Sequence, residues 1–177
     1  MTVDWHDYEI FDPGTWGPLG ELPRREARAA YQRLMDARGA RFEELAKLVA
    51  KSGIKLEWTY DSLQAVNDWF RTNVTADPRD RSRLLPEWYS VTNDIGLFLG
   101  DFLIRQHPGL HWEFDTSHKG VTTYQRHVIM GFKNFPDPDY ALDLDMAVAR
   151  YGHAVLLRQD IDVNAFVDWV RTAEQRA

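Results

Sequence analysis

Apolar residues recur every three or four positions along much of the chain, which is the spacing of amphipathic helices. The first such stripe covers residues 23–52. Pro23 suits the first position of a helix, and Gly53 suits the position just past its end. Gly39 lies between them and disfavours a helix interior by about 1 kcal/mol relative to Ala. The pattern therefore predicts one long helix, or two helices joined by a short kink.

The next stripe predicts a second helix, in which Asp61 is the cap and Gln64 completes a capping box. The stretch "IKLEWTY" before this helix reads as an extended linker or a short strand. The stretch "TADPRDRSR" after it reads as a polar loop, since it combines a Pro with alternating charges.

The most apolar element follows, from Glu87 to His107, and is predicted to be a central helix because apolar residues cover most of its circumference. Gly96 and Gly100 form a G-x-x-x-G step, which predicts the close approach of another element. Asp101 stands four residues before Arg105. We expect a helical ion pair between them, rather than a catalytic pair of Asp101 with Asp94.

Strict alternation of apolar and polar residues begins at Leu110 and predicts a half-buried strand. The stretch "VTTYQRHVIMGF" reads as a second strand, so the two should form an antiparallel hairpin against the central helix. The outward face of the first strand would carry His111, Glu113 and Asp115.

That polar face has two interpretations. It is a candidate metal site, with ligands drawn from His111, Asp115, His118 and His127. It is also an ordinary solvated surface, and no known ligand spacing such as H-E-x-x-H is present. We favour the solvated surface and predict no cofactor.

Four aspartates in "DPDYALDLD" suggest calcium, but the stretch lacks the glycine and closing glutamate of an EF-hand loop. We expect Asp137 or Asp139 to cap a helix instead. Residues 140–148 alternate like a strand at first, whereas the residues that follow favour helix, and we prefer helix. Asp162 is the predicted cap of the last helix.

Together these elements predict an α+β fold, mostly helical, in one globular domain over residues 1–177. A length of 177 residues with 44% hydrophobic content is enough for one sizeable core. Residues 1–22 show no regular period and form an aromatic-rich arm. We expect Trp5, Tyr8, Phe11 and Trp16 to lie against the body, because exposed aromatic surface invites association.

Net charge narrows the choice of partner. The formal charge of −6 disfavours binding to nucleic acid and to anionic membranes. The sequence contains no Cys, which excludes disulfides and thiolate chemistry. Its first ten residues lack the pattern of a signal peptide, and no apolar run approaches a membrane span, so we expect a cytoplasmic protein.

The stretches "LEWTYDSLQAVNDWF", "LPEWYSVTNDIGLFLGDFLI" and "LHWEF", with a second strand ending in "GF", resemble a class of uncharacterised bacterial proteins. In that class a helix with D-x-G-x-x-x-G-D/E spacing leads into a hairpin opened by a tryptophan. The likeness covers roughly residues 56–132 and rests on structural residues alone. Some proteins of this general type are toxin-immunity or other partner-binding proteins, so the resemblance implies partner binding and no catalytic residue.

The leading functional prediction is a non-enzymatic module that binds a protein partner, in one form an immunity-type inhibitor. Aromatic residues would supply contact energy, and Glu113, Asp115, Asp137 and Asp139 would attract a basic target. One alternative is a metal-dependent hydrolase that uses the hairpin histidines and carboxylates. Another is a structural or homo-oligomeric protein that associates through its aromatic arm. The sequence leaves the oligomeric state open.

Overall fold

The computed structural model describes residues 3–177 of the chain. Within them helices dominate, and two antiparallel sheets of two strands each accompany them, so the predicted mostly helical α+β fold is confirmed. The helices are α1 (Arg24–Ala50), α2 (Tyr60–Asn73), α3 (Pro86–Gln106), α4 (Leu144–Leu156) and α5 (Ala165–Glu174). The strands are β1 (Ala76–Asp77), β2 (Asp80–Leu84), β3 (His111–Phe114) and β4 (His127–Met130).

Helix α3 is the central element, and α1, α4 and α5 all pack against it. Its two glycines permit this packing. A Cβ atom at Gly96 would lie 2.7 Å from the backbone nitrogen of Asp145, and one at Gly100 would lie 2.2 Å from the ring of Trp112. Both distances are shorter than van der Waals contact. The close approach predicted for the G-x-x-x-G step is therefore confirmed.

Residues 24–50 form a single helix, which decides between the two alternatives for this segment. Gly39 is exposed, and a Cβ atom there would meet nothing within 4 Å. The glycine therefore weakens α1 only through its own conformational entropy, which 27 residues of helix and a packed apolar face overcome.

The helix caps differ from the predictions by a few residues. Thr59 caps α2 by accepting a hydrogen bond from the backbone N–H of Ser62, and Asp61 lies inside the first turn. Asp143, rather than Asp137 or Asp139, caps α4. Asp162 accepts from the N–H of Asn164 one residue before α5 begins, so it shapes the preceding turn instead of capping the helix.

The strands differ from the predictions as well. The supposed polar loop contains the β1–β2 hairpin, in which Ala76 pairs with Leu84, while "IKLEWTY" contains no strand. The predicted second strand is only four residues long, because the chain turns before it and Gln125 has a positive φ of 61°. β3 and β4 do pair antiparallel, as predicted.

The segment over residues 140–148 combines both of its alternatives. Leu142 forms an isolated bridge with Ile129 of β4, and α4 then begins at Leu144. Of the alternating residues Leu142, Leu144 and Met146, Leu142 forms the bridge and the other two lie in α4.

The predicted ion pair between Asp101 and Arg105 is wrong. Asp101 instead pairs with Arg38 of α1 at 3.3 Å and accepts a hydrogen bond of 2.9 Å from the indole N–H of Trp112. Arg105 lies over the ring of Trp58, 4.2 Å from its centroid. Partners from other elements thus outcompete the local pair. No helix within residues 3–177 has the length and hydropathy needed to cross a bilayer.

Candidate functional site

A cavity of about 310 Å³ opens between the N-terminal arm, α1, α3 and the beginning of α4. We call it the arm pocket. Apolar and aromatic residues make up most of its lining, and the rest of the lining is mainly polar. The apolar lining includes Phe11, Leu19, Ala30, Tyr31, Leu34, Tyr89, Met146 and Ala149. The polar lining includes Thr92, Asn93, Arg126, His127 and Asp145. A mostly apolar cavity with a few convergent polar groups is the usual composition of a ligand site.

The arm forms the outer wall of the pocket and is fixed at both ends. At its start, the backbone N–H of Phe11 donates to the hydroxyl of Ser90 at 2.9 Å. At its end, the side chain of Gln125 donates to the carbonyls of Leu19 and Leu22 at 2.7 and 2.9 Å. Between these anchors the chain turns through Gly14 and Gly17, both of positive φ, and its regular structure is one short 3-10 turn at Leu19–Glu21. The anchors hold the wall in place, and the span between them is irregular.

Two carboxylates share the guanidinium of Arg126, which lines the pocket. Arg126 donates to Asp143 Oδ2 at 2.5 Å and to Asp145 Oδ2 at 2.8 Å. Local structure brings the three together, since Arg126 directly precedes β4 and both aspartates start α4. Asp143 also accepts from the backbone N–H of Met146 at 3.1 Å as the helix cap.

His127 completes this group, which we call the pocket cluster: Arg126, His127, Asp143 and Asp145. Its Nε2 lies 3.2 Å from Asp145 Oδ1. The contact does not meet the geometry of a hydrogen bond, and neither atom has a hydrogen-bond partner among residues 3–177. Both side chains are more than nine-tenths buried. Buried polar atoms without partners are costly, so native proteins contain few of them.

The two carboxylates of the pocket cluster titrate in opposite directions. Burial and the neighbouring Asp145 raise the pKa of Asp143 to about 7, although Arg126 opposes this. Burial also acts to raise the pKa of Asp145, but His127, Asp143 and Arg126 together hold it well below its usual range. The pair therefore holds a proton near neutral pH, because two buried carboxylates lie side by side and the ionised form of one disfavours ionisation of the other.

A second buried cluster joins the arm to the body, and we call it the arm clamp: Tyr8, Arg41, Ser90 and Asp94. Arg41 donates to both carboxylate oxygens of Asp94, at 2.8 and 2.7 Å. Tyr8 donates its hydroxyl to Asp94 Oδ2 at 2.5 Å. Arg41 also donates to the carbonyl of Glu9 at 2.6 Å. The arm clamp thus fixes the start of the arm on α1 and α3.

The four acids predicted to bind a partner differ in their exposure to solvent. Glu113, Asp137 and Asp139 are exposed. Asp115 is only 2% exposed, which corrects its placement on the outward face of the hairpin. Strand β3 ends at Phe114, and Asp115 turns inward to accept hydrogen bonds from the backbone N–H and the hydroxyl of Ser117.

The structure also separates the histidines and carboxylates of the predicted metal site. His111 and His118 are exposed, whereas His127 and Asp115 are buried. Over the described part of the chain, no three His, Asp or Glu side chains are arranged to hold a metal ion. The hairpin therefore does not assemble the ligand set that the hydrolase alternative requires.

Three of the four arm aromatics lie against the body as expected. Tyr8 is buried, and Trp5 and Phe11 are half-buried. Trp16 is different, because 94% of its surface is exposed. The prediction for Trp16 is therefore wrong, since its neighbours Thr15 and Gly17 line the arm pocket while the indole itself points away from the protein.

Sequence reasoning did not identify the arm pocket. Arg126 is not part of a recognisable motif, and Asp143 and Asp145 stand out only as members of an aspartate-rich stretch. The one usable signal was the adjacent pair of Arg126 and His127 entering a buried strand, since charged residues there require buried partners.

Comparisons with known protein families, with curated proteins and with solved structures found no match to this chain. The resemblance to uncharacterised bacterial proteins therefore stays a prediction, and the site must be interpreted from its own geometry.

Proposed function

We propose that the protein is a partner-binding module and that the arm face is its contact surface. The arm face comprises Ile10, Trp16, Tyr89 and the mouth of the arm pocket. The observation that carries the proposal is Trp16, which is 94% exposed beside a cavity. A tryptophan anchor next to a pocket is the typical composition of an interface hot spot.

Two other exposed apolar side chains support this proposal, since Tyr89 lines the arm pocket and Ile10 precedes Phe11, which also lines it. Ile10 is 51% exposed and Tyr89 is 36% exposed. Exposing large apolar groups has no benefit for the stability of the isolated chain, since their burial would be favourable by about 25 cal/mol per Å². A partner that covers them would recover that free energy.

Charge favours a basic partner. The chain has a net charge of −6, and Glu113, Asp137 and Asp139 are exposed carboxylates that can accelerate the approach of a positive surface. An immunity-type inhibitor, which neutralises one protein target, is the form of this function that the predicted family resemblance supports. Asp115 has no part in the contact, because it is buried.

The proposal is tested by capture from the native lysate with three tagged proteins: wild type, Trp16→Ala and Leu157→Ala. Leu157 is a matched control, since it is an apolar residue 65% exposed at the other end of α4. We expect a protein that wild type and Leu157→Ala retain and that Trp16→Ala loses. Retention should weaken as salt rises.

Equal retention by all three proteins would contradict the proposal, as would the absence of any protein specific to the folded wild type. Light scattering of the purified protein distinguishes the homo-oligomeric alternative. A dimer that Trp16→Ala converts to monomer would assign the arm face to a second copy of the chain and overturn the proposal.

A further inference from the structure

We propose that the arm pocket is also the binding site of a small, uncharged molecule that combines an apolar or aromatic body with a carboxamide group. This ligand is separate from the protein partner, so the inference goes beyond the proposed function. Three features of the pocket support it: its size and lining, its free hydrogen-bonding groups and its balance of charge.

The cavity has the size and the lining of a site for a small ligand. Its volume of about 310 Å³ lies at the lower end of the range for such sites. Leu34, Met146 and Ala149 contribute aliphatic surface, and Phe11 and Tyr31 contribute rings. An apolar body that moves from water to this lining is stabilised by the hydrophobic effect.

A free donor on Arg126 indicates the polar group of the ligand. Arg126 lines the pocket, and its Nε and Nη2 donate to Asp143 and Asp145 at 2.5 and 2.8 Å. Its third nitrogen, Nη1, donates to no residue that the structure describes, and it is not among the buried atoms that lack a partner, so solvent reaches it. A carbonyl oxygen is a suitable acceptor for this donor.

Asn93 supplies the second polar group. This residue of α3 is half-buried and lines the pocket. Within residues 3–177 its side-chain amide makes no hydrogen bond, whereas the hydroxyl of the neighbouring Thr92 donates to the carbonyl of Tyr89 at 2.9 Å. An amide side chain is both a donor and an acceptor. It therefore complements a carboxamide, which also has both groups and carries no charge.

The balance of charge favours an uncharged ligand. Among the described residues, the acidic and basic ones in the lining are Arg126, His127 and Asp145. Arg126 contacts both carboxylates of the pocket cluster, and His127 Nε2 lies 3.2 Å from Asp145 Oδ1. One proton, held by the imidazole or by the carboxylate pair, cancels the charge of the cluster. An ionised ligand would lose its hydration without gaining a counter-charge, whereas a carboxamide needs only hydrogen bonds.

The test uses probes of matched size on the whole protein: benzamide, benzoate, benzylammonium and toluene. Titrations followed by amide NMR shifts give the dissociation constants. Nuclear Overhauser effects locate the probe ring relative to the methyl groups of Ala30, Met146 and Ala149, which all line the pocket. We expect benzamide to bind saturably with its ring near these methyl groups. The other probes should bind at least about ten-fold more weakly, because each lacks the hydrogen bonds or carries a charge.

Two substitutions check the site. Asn93→Leu removes the free amide and should weaken benzamide binding by about five-fold. Gln159→Leu makes the same change at an exposed position beyond α4 and is the matched control. Ala149→Phe fills the pocket and should abolish binding. The nuclear Overhauser effects are measured on wild type, so the test stands even where a variant does not fold.

Benzamide binding that does not saturate, or that places the ring away from these methyl groups, would overturn the inference. So would a charged probe or toluene that binds as tightly as benzamide, or unchanged benzamide binding in folded Asn93→Leu. The probe test requires neither Trp16 nor a captured protein. This inference and the proposed function can therefore fail separately.

Discussion

The arm clamp and the pocket cluster are two buried ionic groups, and they differ in how their charges are matched. In the arm clamp, one guanidinium faces one carboxylate, and Asp94 accepts from both Arg41 and Tyr8. In the pocket cluster, one guanidinium serves two carboxylates, and Asp145 Oδ1 and His127 Nε2 lack hydrogen-bond partners among residues 3–177.

Because of this difference, we expect the two clusters to affect stability in different ways. When all the hydrogen bonds of a buried ion pair are satisfied, they offset the cost of its desolvation and hold it in one geometry. A buried group that contains two adjacent carboxylates and polar atoms without hydrogen-bond partners lowers stability. The arm clamp has the first composition and the pocket cluster has the second, and Arg126, His127 and Asp145 of the pocket cluster line the arm pocket.

The largest effect is expected from Arg41→Leu. Removal of the Arg41 guanidinium leaves the carboxylate of Asp94 buried without a counter-charge, which should lower the free energy of unfolding by about 3–5 kcal/mol. Urea denaturation measures the loss. Arg81→Leu on the exposed face of β2 is the control and should change the free energy by less than about 0.5 kcal/mol. A loss below about 1 kcal/mol for Arg41→Leu would contradict the structural role of the arm clamp.

A smaller effect is expected from Tyr8→Phe, which removes one hydroxyl from the arm clamp and preserves its packing. Burial raises the pKa of Tyr8, so the hydroxyl is protonated and donates to Asp94 at neutral pH. Loss of a buried hydrogen bond to a charged group should cost about 1.5–3 kcal/mol. Thermal and urea unfolding measure the cost. Unchanged stability would show that the arm is not held through this bond.

The pocket cluster should make the free energy of unfolding depend on pH. Because burial raises the pKa of Asp143 to about 7 in the folded protein, compared with about 4 when unfolded, the folded protein binds an extra proton in this window. The free energy of unfolding should therefore fall as pH rises from 4 to 7. Asp143→Asn keeps the helix cap and should flatten this fall by more than about 1 kcal/mol.

Denaturation series at pH 5 and pH 8 make this comparison. Asp94, whose pKa burial raises to about 6, contributes a similar fall to both proteins and so cancels between them. Identical slopes for wild type and Asp143→Asn would show that Asp143 does not bind the extra proton.

The smallest effect is expected from Trp16→Ala. Since 94% of Trp16 is exposed, the free energy of unfolding should change by less than about 0.5 kcal/mol, as at ordinary surface positions. Differential scanning calorimetry measures this. A loss of 2 kcal/mol or more would show that Trp16 supports the fold and would remove the reason to treat it as a contact residue.

The helices could be predicted from the sequence because each carries a continuous apolar stripe. Burial of that stripe fixes the helix, whatever its ends do. The ends of the helices were harder to predict. Thr59 and Asp61 are both good caps, and only the backbone direction selects Thr59. Strand lengths were harder still to predict, because β4 begins only at His127, after the chain turns at Gln125.

The candidate site could not be predicted, because it is made of residues far apart in the chain. The arm pocket brings Phe11, Tyr89 and Asp145 together, and no local pattern connects them. Ion-pair partners could not be predicted for the same reason. Arg105 is the correct helical distance from Asp101, but Arg38 and Trp112 reach that carboxylate from other elements.

The most direct test of the contrast between the two clusters is the free energy of unfolding at pH 8 for Asp94→Asn and Asp143→Asn. Both variants remove one buried carboxylate charge and keep its shape. Asp94→Asn leaves Arg41 without a counter-charge and should lose about 3 kcal/mol or more. Asp143→Asn leaves Arg126 paired with Asp145 and should be at least as stable as wild type. Equal losses in both variants, or the larger loss in Asp143→Asn, would contradict the account.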